Sequence, residues 1–143
     1  MNAIMVPSKS SKTGIFGLFG NGNNSDTLKS VGGSFSSLNK VQANILVADA
    51  DFNLIFANEN ALKTLGMIKE QIYTEFGVSI NDIVGGSIHR FHKDPGRIEK
   101  ILRNPSALPH TAEFTFGDVT LAATINATTH ASGMISGYIV NWE

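Results

Sequence analysis

Leu28, Val31, Phe35, Leu38 and Val41 recur three or four residues apart, the period of a helix with one apolar stripe. The stripe predicts a helix over 27–41, weakened at Gly32 and Gly33 by about 1 kcal/mol each relative to alanine. It can pack on its own domain or meet its twin in a dimer. From residue 43 the period changes. A-N-I-L-V-A-D and N-L-I-F-A-N are short apolar runs on either side of a polar D-A-D turn, the pattern of a hairpin. Asn58 precedes E-N-A-L-K-T-L-G as a natural N-cap, with Gly66 as the expected helix stop. M-I-K-E-Q-I-Y-T-E-F adds another helical turn or two and ends at Gly77. Residues 79–93 read as short, irregular helical turns. Asp94 and Pro95 then open a helix, G-R-I-E-K-I-L-R, with Ile98, Ile101 and Leu102 on one side.

The last third of the chain has strand character. T-A-E-F-T-F meets V-T-L-A-A-T-I-N-A-T across the two-residue turn Gly117-Asp118. T-H-A-S-G-M is a second turn, and I-S-G-Y-I-V-N-W-E is the last strand. Alternation puts Ile135, Gly137, Ile139 and Asn141 on one face, and Ser136, Tyr138, Val140 and Trp142 on the other. Two strands, several short helices and three strands make an α+β domain. It is a five-stranded antiparallel sheet with short helices on one face, preceded by the N-terminal helix. Residues 1–26, rich in Ser, Gly, Asn and Lys, are expected to be a disordered tail. That divides the chain into a tail (1–26), a cap helix (27–41) and one folded domain (42–143).

Composition narrows the chemistry. With 143 residues and 42% hydrophobic positions, the chain can bury one core. Eleven basic residues face twelve acidic ones, so the clustered basic excess of a nucleic-acid binder is missing. There is no cysteine, which removes disulfides, thiol catalysis and cysteine-type zinc sites. No apolar run approaches the roughly 18 residues of a membrane span, and the first residues lack a signal-peptide pattern. The expectation is a cytoplasmic chain with no membrane partner. No Ser-His-Asp order, phosphate loop or catalytic carboxylate pair stands out, and Asp49 and Asp51 flank a hairpin turn. The chain is not expected to be an enzyme.

Candidate chemistry concentrates in S-I-H-R-F-H-K-D-P, residues 87–95. His89 and His92 are three apart and can face the same way on a helix. They form either a turn with incidental histidines or the start of a metal site, for which no third ligand is evident. His110 falls at a strand entry and His130 in a turn.

Residues 38–143 resemble a PAS domain, of the kind found in soluble bacterial methyl-accepting chemoreceptors that bind haem and sense oxygen. A-N-I-L-V-A-D-A-D-F-N-L-I-F-A-N resembles their first hairpin, G-G-S-I-H-R-F-H-K-D-P their pocket edge, and G-Y-I-V-N-W-E their last strand. The resemblance implies haem b, with His92 as axial ligand to the iron and Trp142 on the distal side as donor to bound O2 or another diatomic gas. It places Ala123 where a bulkier shielding leucine is common, with Leu121 close by. Phe91, beside His92, and Ile83, Ile88, Leu102, Phe114, Phe116, Leu121, Ile125 and Ile139 are candidate pocket walls. Arg90, Lys93 and Arg97 are candidate partners of the haem propionates, and His89 is expected to face solvent or the haem edge. The resemblance further implies a homodimer that signals to a downstream chemoreceptor region and its chemotaxis kinase complex, the chain being a piece of a longer receptor. A PAS domain that binds flavin, a small metabolite or no cofactor, and relays signals as a dimerisation module, is the alternative.

Overall fold

The computed structural model describes residues 4–5 and 35–143. The tail expected over 1–26 lies outside those residues apart from Ile4–Met5. So does the expected helix over 27–34, while 35–38 are helical (α1). The strands are β1 (Ile4–Met5), β2 (Asn44–Asp49), β3 (Leu54–Ala57), β4 (His110–Phe116), β5 (Val119–Thr129) and β6 (Ile135–Trp142). They form one antiparallel sheet in the order β1-β3-β2-β6-β5-β4. The five longer strands are those the periodicity predicts. The two-residue β1, paired with β3, adds a sixth. Between the hairpin and β4 come α2 (Glu59–Met67), α3 (Lys69–Phe76), 3₁₀ turns at Ile80–Asp82 and Ile88–Phe91, α4 (Pro95–Leu102) and a 3₁₀ turn at Pro105–Ala107. Among the described residues, no helix is long and apolar enough to cross a membrane.

Local chemistry accounts for most boundaries. Asp94 caps α4 by accepting from the Arg97 N–H, with Pro95 in the first turn where its missing N–H costs nothing. Gly77 ends α3 in the left-handed region at φ 67°. Gly117 takes φ 56° at the first central position of the β4–β5 turn, where a tight hairpin favours glycine. Gly66 departs from expectation, because α2 runs through it to Met67 and closes at Ile68, whose N–H bonds to the Leu65 carbonyl. The β2–β3 turn holds Phe52 at φ 66°, a conformation costly for a bulky residue. Burial compensates: Phe52 is 1% exposed and stacks on Tyr138 at 5.3 Å.

The sheet buries both faces unequally. One side carries the main core with α2, α3 and α4, including Leu54, Leu62, Leu65, Ile72, Leu102, Phe116 and Trp142. On the other side a smaller cluster of Ile45, Val47, Ile55 and Phe56 packs against Phe35, Leu38 and Ile139. Asn58 joins the N-terminal segment to the sheet and to α2. It is 0% exposed. Its Oδ1 accepts from the Ile45 N–H at 3.1 Å and the Ala61 N–H at 2.9 Å. Its Nδ2 donates to the carbonyls of Leu38 and Ala43, both at 2.9 Å, with the Val41 carbonyl at 3.4 Å. Asn58→Ala would orphan donors and acceptors on three segments. Its expected cost is about 2–4 kcal/mol in urea unfolding, against about 1 kcal/mol for a simple exposed cap. A loss below about 0.5 kcal/mol would show that water replaces the amide without cost.

Candidate functional site

A cavity of about 120 Å³ lies between the inner face of the sheet and the helices. The sheet supplies Leu46, Leu54, Phe114, Phe116, Leu121, Ala123, Val140 and Trp142, and the connecting elements supply Leu65, Ile72, Phe76, Ile83 and Phe91. Phe76 meets Phe91 and Phe116 edge-on at 5.2 and 5.1 Å, which fixes three aromatic walls against one another. The walls are apolar throughout. Trp142 is 7% exposed, and its Nε1 is buried without a hydrogen-bond partner among the described residues. An indole N–H can only donate, and leaving a buried donor unpaired costs about 1–3 kcal/mol. β6 holds the residue firmly: Trp142 pairs with Asn44 on β2 and Ala123 on β5, and its carbonyl accepts from Asn44 Nδ2 at 3.2 Å.

Phe91, Phe114, Leu121, Ala123 and Trp142, expected at the pocket from the sequence, come together here with Ile83 and Phe116. Ile88, Leu102 and Ile125 belong to the same core without lining the cavity. Ile139 is a correction: it lies on the opposite face of the sheet, against Ile45, Val47, Ile55 and Phe56. The strand's own alternation already separates it from Trp142. Leu46, Leu54, Leu65, Ile72, Phe76 and Val140 were not singled out as walls. Val140 was signalled, since it shares the face of Trp142, and Leu46 is its cross-strand partner.

The pocket edge is built from turns. Ser87 caps the Ile88–Phe91 turn by accepting from the His89 N–H at 3.1 Å, and the His92 N–H closes it on the His89 carbonyl at 3.1 Å. Side chains three apart eclipse on a 3₁₀ turn, so the two histidines meet. Their Nδ1 atoms are 3.3 Å apart. His89 Nε2 is 3.2 Å from Glu99 Oε1, and its ring packs 5.4 Å from Phe52. His89 therefore faces inward, 20% exposed, and not solvent. His92 is half-buried and outside the cavity lining. Desolvation, and then the neighbouring His89, lower its pKa from the ordinary 6.5. Arg90 is a second correction. Its guanidinium donates to the carbonyls of Ser87, Asp82 and Ile83 at 2.8, 2.8 and 2.7 Å, in a space that a Cβ at Gly86 would fill. Three of its five N–H donors brace the pocket edge instead of facing a propionate. Among the described residues, no group of three His, Cys, Asp or Glu could hold a metal ion.

The lowered His92 pKa makes a pH prediction. The unfolded chain binds a proton at His92 more readily than the folded one, so stability rises with pH across that window. The contribution is complete above the unfolded value of 6.5 and is lost as pH falls from there toward the folded value. Urea midpoints should drop between about pH 7.5 and 5.5, and His92→Gln should flatten that drop. An equal drop in the variant would assign it to other groups.

Comparison with known proteins gives the same architecture. No family model matches the chain. It is 31% identical over 83 residues to the methyl-accepting chemotaxis protein McpB of Pseudomonas aeruginosa, a match covering 57% of this chain and 12% of that protein. Among solved structures, the Aer2 receptor of Vibrio cholerae, described as a dual PAS-haem oxygen sensor, superposes with a TM-score of 0.64 at 26% identity, covering 70% of this chain and 91% of that one. The PAS domain of Bordetella pertussis BvgS superposes with a TM-score of 0.53 at 17% identity, covering 80% and 85%. The antiparallel sheet and the short helices are those of a PAS fold.

Proposed function

We propose that this domain holds haem b at the apolar cavity and reports a diatomic gas, O2 foremost, as the sensory module of a cytoplasmic chemoreceptor. One observation carries the reading: Trp142 lines the apolar cavity, and its buried Nε1 has no hydrogen-bond partner among the described residues. A buried donor with no partner in the chain is available to an acceptor from outside it. The likeness to the Vibrio cholerae oxygen sensor and to the chemotaxis receptor supports the choice of ligand and output.

The residues suit the group. His92 is the histidine of F-H-K-D-P, kept toward its neutral form by burial, which is the form that ligates. His92 would hold the haem, which would supply an iron able to take up a diatomic gas. The walls exclude water, and Trp142 offers the N–H that a gas ligand with partial negative charge can accept. Phe91 both lines the cavity and precedes His92, so one outward movement of the pocket edge would enlarge the cavity and turn the imidazole toward it. A change at Trp142 acts on its bond to Asn44 and on the register of β6 between β2 and β5. That strand is the proposed route to the downstream signalling region and chemotaxis kinase complex, in a homodimer.

The cavity volume favours a second reading. About 120 Å³ is below the roughly 300–1,000 Å³ of sites for drug-sized ligands, and His92 stands outside its lining. A PAS module that relays signals without a macrocycle would keep the cavity as it is. Absorbance separates the two. Protein produced with haem available should show a Soret band that His92→Ala abolishes. Trp142→Phe should keep the band and release O2 about tenfold faster, the equivalent of one hydrogen bond. A folded, colourless protein that takes up no haemin would establish the second reading.

A further inference from the structure

We propose that Glu99 and His89 set the tautomer of His92, leaving its Nε2 without a proton. The inference deepens the reading of His92 as a haem ligand and rests on that reading for its purpose, but its geometry belongs to the chain alone. Three side chains stand in a row: Glu99, His89 and His92. The Glu99 carboxylate is an acceptor only, and it faces His89 Nε2 at 3.2 Å, so that nitrogen carries the hydrogen. A neutral imidazole has one N–H, so His89 Nδ1 is bare. That bare nitrogen lies 3.3 Å from His92 Nδ1. Two bare nitrogens at that separation would repel, so the shared hydrogen belongs to His92 Nδ1. His92 Nε2 is then the free lone pair. Which ring nitrogen bears the proton is set by the bond the other one makes, and here the chain of bonds ends on a carboxylate.

The fold supports each link. The 3₁₀ turn brings the histidines together, and α4, opened by Asp94 and Pro95, returns Glu99 to the far edge of His89. Phe52 packs on the His89 ring and limits its rotation. The carboxylate and His92 sit on opposite nitrogens of His89, so the three groups cannot converge on one ion. They act as a positioning relay. A hydrogen bond from Nδ1–H toward a carboxylate-anchored acceptor would make Nε2 of His92 a stronger donor to a metal.

Long-range ¹⁵N–¹H spectra of the cofactor-free protein, taken near pH 8 where ordinary histidines are neutral, test the inference. Expected are the Nε2–H form of His89 and the Nδ1–H form of His92. Glu99→Ala should release His92 into a mixture with the Nε2–H form while the amide spectrum stays folded. A wild-type His92 bearing hydrogen on Nε2, or a His89 protonated on both nitrogens, would overturn the relay. So would a His92 tautomer unmoved by Glu99→Ala. In haem-loaded protein, the iron–histidine stretching frequency should fall in Glu99→Ala, and an unchanged frequency also counts against the relay. Haem uptake is scored separately by absorbance, so a protein without haem fails the functional reading while the tautomers still decide the relay.

Discussion

Three backbone hydrogen bonds between the β2–β3 hairpin and residues 85–88 hold the pocket edge in place. The Leu54 N–H bonds to the Gly86 carbonyl at 2.9 Å, the Gly85 N–H to the Leu54 carbonyl at 2.7 Å, and the Ile88 N–H to the Phe52 carbonyl at 2.9 Å. Residues 79–93 have no long helix or ladder strand of their own. Their order comes from these bonds and from Arg90, which ties Asp82, Ile83 and Ser87 together through their carbonyls. Phe52 accepts a positive φ because its ring and carbonyl both have partners there. The segment is anchored at its start and free of ladder bonds near His92.

The sheet separates two tasks. Its inner face carries the cavity and Trp142, while its outer face carries Ile139 and the N-terminal helical residues Phe35 and Leu38. β6 contributes to both faces and lies between β2 and β5. Asn58 bonds Ile45 on β2, Ala61 on α2 and the carbonyls of Leu38 and Ala43 through one buried amide. The N-terminal segment is thereby fixed to the strand next to β6. One buried amide thus joins the strand beside β6, α2 and the N-terminal segment.

Much of this was legible in the sequence, because local signals dominate at the places concerned. Asn58, Gly77, Asp94-Pro95 and Gly117 each act within a turn of their own position, and the strands follow from period two. Gly66 misled because glycine ends a helix only where the backbone turns left-handed, and here Ile68 closes α2 without that turn. Ile139 follows the alternation of β6 and so lies on the face opposite Trp142. Arg90 and Glu99 were hidden for a different reason. Arg90 bonds to carbonyls, which every residue has, so no residue type marks its partners. Glu99 reaches His89 only because the turn at His92–Asp94 reverses the chain, a tertiary fact with no periodic trace. The helix walls Leu65, Ile72 and Phe76 were visible as apolar positions, but the packing of α2 and α3 decides which cavity they face.

The central claim is that the Trp142 donor serves a ligand on haem held at this cavity. Trp142 is the chain's one tryptophan, so its indole N–H gives a single, unambiguous resonance. The direct measurement compares that resonance in cofactor-free protein and in diamagnetic, haem-loaded protein under carbon monoxide and then O2. The account predicts a large ring-current displacement on loading and a further downfield step under O2, as the N–H gains an acceptor. An indole resonance that stays in place when haem is demonstrably bound would contradict it.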